Sequence, residues 1–135
     1  KEYMKDTSTE VRIELIHFLG KFKNGLVYLQ QIFEDPKSKT DDSWRKAYEM
    51  LVVPFDVLKQ IGENAFQFAL LKAEAHPLKL MKQAVAVLIE FAKFDSNYTK
   101  RVELLMNTLE TKDNPYSLQA FRLLKAGKDL ANSSS

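Results

Sequence analysis

The chain has 135 residues, of which 45% are hydrophobic and 28% are charged, and these are ordinary proportions for a globular protein. Its 20 basic and 18 acidic side chains give a net charge of +2, which is too balanced to favour a nucleic-acid partner. It contains no cysteine, so disulfides, thiolate nucleophiles and cysteine metal sites are excluded.

The spacing of apolar residues predicts an all-α fold. Four glycines and four prolines interrupt long patterns at helical spacing, and no stretch alternates between polar and apolar residues as a half-buried strand does. We predict a single compact domain over residues 1–135, built as a bundle of five or six helices. Residues 1–6 and 131–135 are expected to be frayed ends.

The first predicted helix is long. Thr7-Ser8-Thr9-Glu10 is typical of a capping box at a helix start, and we expect the helix to continue to Glu34. An apolar stripe with steps of three and four supports this length: Val11, Leu15, Phe18, Leu19, Phe22, Leu26, Leu29 and Phe33. An earlier end at Asn24-Gly25 stays open.

The second predicted helix begins at Asp41 or Asp42 and contains Pro54. Trp44, Tyr48 and Leu58 fall on one apolar face, and this face continues beyond the proline without a change of phase. We therefore expect Pro54 to bend a central helix, although a new helix that starts at Pro54 is the alternative.

The second half of the chain carries three clear stop signals. A break at His76-Pro77 precedes an apolar pattern that ends near Phe94. Asp95 or Ser96 is expected to cap a short helix. Asn114 is expected to cap the last helix, with Pro115 at its first position.

Residue types that perform chemistry are sparse. The two histidines, His17 and His76, belong to no metal-binding motif, so we predict no metal, no cofactor and no enzymatic activity.

On the predicted first helix His17 shares a polar, exposed face with Lys21, and Gly20 leaves space beside it. The segment His17-Phe18-Leu19-Gly20-Lys21 resembles the H-x-L-K-G core of histidine phosphotransfer domains, with Gly20 and Lys21 in swapped order. The resemblance implies that His17 accepts a phosphoryl group and that Lys21 offsets its charge.

A second resemblance involves the tryptophan helix. Trp44-Arg45-x-x-Tyr48, followed by Leu58 and Gly62-Glu63, resembles the central helix of epsin N-terminal homology (ENTH) domains. That family implies an adaptor that binds phosphoinositides and coat components. This chain departs from the pattern because Pro54 lies inside the matched segment and no basic amphipathic segment precedes residue 7.

We expect a non-catalytic protein-interaction module, an adaptor or effector domain, which binds a protein partner through a groove between helices. The favoured surface is the basic region from residue 77 to 101, and Val53 and Leu71, if exposed, would form an apolar contact patch instead. The basic binding residues that we predict are Lys79, Lys82, Lys93, Lys100 and Arg101.

No run of about 18 apolar residues occurs, so we predict no transmembrane segment. Peripheral membrane binding has no specific support in the charge pattern and stays open. Because the chain begins at Lys1, we expect a processed product or an excised domain. The absence of cysteine favours a cytoplasmic location, with a processed secreted protein as the alternative.

Overall fold

The computed structural model describes residues 9–37 and 43–134. Within these ranges it contains eight α-helices and no strand, which confirms the all-α class, although the predicted number of five or six helices was too low. The helices are α1 (Thr9–Leu19), α2 (Lys23–Glu34), α3 (Trp44–Leu51), α4 (Phe55–Ile61), α5 (Glu63–Lys72), α6 (Leu78–Phe94), α7 (Ser96–Thr111) and α8 (Pro115–Ser134). None of these helices is long and apolar enough to cross a membrane.

The chain divides into two compact units, Lys1–Phe68 and Ala69–Ser135. In the first unit, the predicted continuous helix to Glu34 was wrong, because α1 ends at Leu19 and α2 begins at Lys23. A β-carbon at Gly25 would overlap the carbonyl oxygen of Leu19. Glycine therefore allows the backbone of α2 to begin directly against the last turn of α1.

Pro54 ends the helical path rather than bending it. Helix α3 stops at Leu51, and Pro54 is the residue before α4, with extended backbone angles of φ −52° and ψ 142°. Proline has no amide hydrogen to donate to the preceding turn, which disfavours a continuous helix, and at Pro54 the result is a break. Gly62, at φ 78°, then separates α4 from α5 in a conformation that favours glycine. The predicted central kinked helix is thus three helices, α3, α4 and α5.

The helix starts that we predicted in the first half fall mostly outside the described residues. The predicted caps Thr7, Asp41 and Asp42 lie there, and so do residues 1–6, which we predicted to be a frayed end. Helix α3 is capped instead by Ser43, whose hydroxyl oxygen accepts a hydrogen bond from the Lys46 amide at 3.4 Å.

The core of the first unit is formed by apolar side chains from several of its helices. Phe33 and Phe68 meet edge to face, with ring centroids 5.7 Å apart. Trp44 is only half-buried and packs against Tyr48. The Arg45 guanidinium lies 4.8 Å from the centre of the Trp44 ring. The fully buried large side chains of this unit are Leu29, Phe33, Leu51, Leu58, Phe66 and Phe68.

In the second unit, α6, α7 and α8 pack against one another. The His76 and Tyr116 rings stack at the beginnings of α6 and α8, and Gly127 meets Ile89 further along both helices. Helices α6 and α8 therefore run parallel, and α7, which connects them in the chain, runs in the opposite direction. The His76–Pro77 peptide bond is cis.

The predicted stop signals of the second half are confirmed. The Asp95 carboxylate accepts a hydrogen bond from the Asn97 amide at 2.8 Å and caps α7. The Asn114 side chain accepts one from the Tyr116 amide at 2.8 Å, at the start of α8. Helix α7 is longer than expected, and the helical backbone of α8 includes residues 131–134.

Candidate functional site

The predicted basic residues divide between two helices. Lys79, Lys82 and Lys93 lie on α6 and are exposed, while Lys100 and Arg101 lie on α7. The Arg101 guanidinium lies 5.7 Å from the centre of the Tyr98 ring and is half-buried. The five residues are therefore not one continuous patch on one helix.

The predicted apolar patch does not form. Val53 is only 3% exposed, because it belongs to the core next to Leu51, whereas Leu71 is exposed. The expectation that Val53 would be a surface contact residue was therefore wrong. Leu71 remains a single exposed leucine, which is common on protein surfaces.

A groove lies between α6 and α8, with a cavity volume of about 430 Å³. This volume is within the range of pockets that bind small molecules. Apart from three charged residues of α6, its lining carries no polar side chain. The charged lining residues are Lys82, Glu90 and Lys93, and the others are Val85, Ala86, Ile89, Leu123, Gly127 and Leu130.

The spacing of the lining residues explains why they share one groove. On α6, Lys82, Ala86, Ile89 and Lys93 follow steps of four, three and four, and on α8 Leu123, Gly127 and Leu130 follow steps of four and three. Residues at this spacing lie on one side of a helix. Two such rows on parallel helices therefore face the same side of the second unit.

Gly127 determines how closely the two helices approach at the floor of the groove. A β-carbon at this position would lie 2.9 Å from both Cγ1 and Cδ1 of Ile89. Glycine thus permits this close contact, and a β-carbon here would require the Ile89 side chain to shift. Beyond it, Leu130 is 70% exposed, which is the highest value among the exposed large apolar side chains of the described residues.

The charges of the groove are unequal. Lys93 and Glu90 form an ion pair with an Nζ to Oε2 distance of 3.2 Å, so they largely compensate each other. Lys82 makes no hydrogen bond or ion pair with any residue in the described part of the chain. The end of the groove near Lys82 therefore carries an uncompensated positive charge.

His17 is not the exposed histidine that we expected. It is half-buried, and its Nε2 atom donates a hydrogen bond to the carbonyl oxygen of Val52 at 3.0 Å. The space that we expected beside Gly20 is also filled, because a β-carbon there would lie 2.8 Å from Cγ2 of Val57. A phosphoryl group on Nε2 would have to break this bond, so the geometry disfavours His17 and Lys21 as a phosphoacceptor pair.

A polar cluster around Glu74 joins the chain before α6 to the start of α8. The carboxylate of Glu74 accepts hydrogen bonds from the fully buried Ser117 hydroxyl and from Lys112, whose Nζ lies 3.0 Å from Oε2. Burial alone would raise the pKa of Glu74, but the hydrogen bond from Ser117 and the hydrogen bond and charge of Lys112 hold this pKa below its ordinary value. Because Ser117 is buried, we interpret the cluster as structural.

No group of three or more histidine, cysteine, aspartate or glutamate side chains with metal-binding geometry occurs within residues 9–37 and 43–134. The residues that our sequence reasoning missed are those of α8. Leu123, Gly127 and Leu130 form a second stripe beside the buried Leu124, and this spacing was visible in the sequence. In comparisons with protein-family models, curated proteins and solved structures, this chain has no match.

Proposed function

We propose that this chain is a non-catalytic protein-interaction module, such as an adaptor domain, and that its groove between α6 and α8 binds an amphipathic helix of a protein partner. The observation that carries the proposal is the row of apolar lining residues that ends at Leu130, which is 70% exposed. An apolar groove between two helices is a common receptor for the apolar face of a third helix.

The length of the groove fits a short helix. Lys82 and Lys93 lie at the two ends of the α6 row, and eleven residues of helix at about 1.5 Å per residue span roughly 16 Å. A partner helix of about three turns would cover this distance. Its apolar side chains, spaced by three or four residues, would rest on Ala86, Ile89 and Leu130.

Charge gives the partner helix a preferred chemistry. Lys82 is the uncompensated charge of the groove, since Lys93 is already paired with Glu90. We therefore expect the partner to carry an aspartate or glutamate at the end that lies near Lys82. A rim charge of this kind contributes more to specificity and association rate than to affinity.

A selection from a library of helical peptides tests the proposal. The library randomises the apolar and charged positions of a short helix, and the purified chain is the bait. We expect the selected peptides to carry aliphatic residues at helical spacing with an acidic residue at one end. Selection of basic peptides, or of sequences without an apolar face, would contradict the proposal.

Matched variants then locate the binding surface. Leu130→Glu should weaken binding of the selected peptide by about tenfold or more, which is a change of about 1.4 kcal/mol. Lys82→Glu places a like charge against the acidic end of the peptide and should mainly slow its association, with a smaller loss of affinity. Leu104→Glu and Lys100→Glu are the controls, because Leu104 is 67% exposed and both residues lie on α7 outside the groove lining. Equal losses in the α6/α8 variants and in the controls would place the binding surface elsewhere.

A further inference from the structure

The turn between α1 and α2 exposes two large aromatic side chains. Phe18 is 56% exposed and Phe22 is 52% exposed, although both belong to the stripe that the sequence predicts to be buried. Their ring centroids lie 4.9 Å apart, so the two rings form one apolar surface. Paired exposed aromatic rings on a small unit are typical of a contact surface rather than of scattered surface residues.

The same turn is basic. Lys21 and Lys23 are exposed, and neither forms an ion pair with another residue of the described ranges. No aspartate or glutamate occurs from residue 15 to residue 33. The nearest preceding acidic residue, Glu14, lies one helical turn before Phe18 on α1. We name Phe18, Lys21, Phe22 and Lys23 the α1–α2 corner.

We infer that the α1–α2 corner binds the surface of an anionic lipid bilayer. Aromatic rings insert at the boundary between headgroups and acyl chains, and lysines beside them are attracted by anionic headgroups. The corner presents both chemistries on adjacent residues. Glu14 lines the same surface depression as Phe18 and Lys21, so the two lysines of the corner outnumber one acidic neighbour. Two rings and two lysines give a weak, reversible contact rather than a stable anchor. This inference concerns the first unit and does not depend on the groove between α6 and α8.

Vesicle sedimentation tests the inference with the purified chain. One set of vesicles contains only phosphatidylcholine, and the other contains equal parts of phosphatidylcholine and phosphatidylserine. We expect the chain to bind the anionic vesicles at least about tenfold more strongly than the vesicles of pure phosphatidylcholine. Added salt should weaken binding to the anionic vesicles. No binding of the wild-type chain to anionic vesicles would overturn the inference.

Two double variants assign the binding to the corner. Phe18→Gln with Phe22→Gln removes the rings, and Lys21→Glu with Lys23→Glu reverses the charges; each should reduce vesicle binding by about tenfold or more. Phe94→Gln and Lys100→Glu are the controls, since Phe94 is 52% exposed, the same fraction as Phe22, and Lys100 is exposed. Circular dichroism tests whether each variant is folded. If the phenylalanine double variant does not fold, the lysine double variant alone decides whether the corner binds the vesicles.

Two further results would also overturn the inference. Undiminished vesicle binding by both double variants would place the lipid contact outside the corner. Self-association of the wild-type chain that the phenylalanine variant abolishes, without vesicle binding, would assign the corner to contact with a second copy.

Discussion

Gly25 and Leu19 are in backbone contact across the turn between α1 and α2, so closely that a β-carbon on Gly25 would overlap the Leu19 carbonyl oxygen. A backbone carbonyl cannot rotate away as a side chain can. We therefore expect Gly25→Ala to destabilise the first unit by about 1–3 kcal/mol, the usual cost of overpacking. Urea denaturation followed by circular dichroism measures the change.

Gly127→Ala is the matched comparison. Here the new β-carbon would meet only the side chain of Ile89, which can move, and alanine gains about 1 kcal/mol of helix propensity over glycine. We expect a net change close to zero, and in any case a smaller loss than for Gly25→Ala. If Gly25→Ala leaves the denaturation midpoint unchanged, α1 and α2 do not approach each other as closely as described.

Because His17 donates a hydrogen bond to the Val52 carbonyl, we expect substitution of His17 to destabilise the fold more than substitution of His76. His17→Phe keeps a ring but removes the donor, so the free energy of unfolding should fall by about 0.5–1.5 kcal/mol. His76→Phe is the control, because His76 is exposed and contributes its ring to the stack on Tyr116. Equal effects of the two substitutions would show that the His17 bond contributes nothing.

The Glu74 cluster predicts a pH dependence of stability. The pKa of Glu74 lies below its ordinary value in the folded chain, so the folded state binds fewer protons than the unfolded state between the two values. The stabilisation is therefore fully present above the ordinary glutamate pKa and is lost as the pH falls through the lower, folded value. Because one third of the Glu74 side chain is exposed to solvent, we expect this stabilisation to be only about 1 kcal/mol.

Glu74→Gln tests this sign directly. The variant should be less stable than the wild-type chain at neutral pH, and the difference should shrink as the solution is acidified. Thermal unfolding of both proteins across the acidic range measures it. A difference that grows with acidification would contradict the assigned direction of the pKa.

The second half of the fold could be predicted because its boundaries are local signals. Asp95 and Asn114 accept hydrogen bonds from amides two residues later, and such caps depend on few neighbours. In the first half the apolar phase continues through the breaks at Gly20–Phe22 and Pro54. Apolar spacing reports which face is buried, but it does not report whether the backbone is continuous.

The candidate site was predicted only in part. Lys82 and Lys93 were expected from the charge pattern, and both line the groove. The α8 half, with Leu123 and Leu130, was missed because the α6 side chains that complete it lie 30 or more residues earlier in the chain. Val53 and Phe18 were misplaced for a related reason, since exposure depends on which helices pack together, and spacing along one helix does not determine that.

Chemical-shift mapping by NMR, with the isotope-labelled chain and a peptide selected from the helical library, tests the proposed groove most directly. The account predicts saturable shifts of the Ala86 and Leu130 amides and of the Ile89 methyl groups, which Lys82→Glu weakens and Lys100→Glu leaves unchanged. Shifts confined to other surfaces, with Ala86, Ile89 and Leu130 unaffected at saturating peptide, would contradict it.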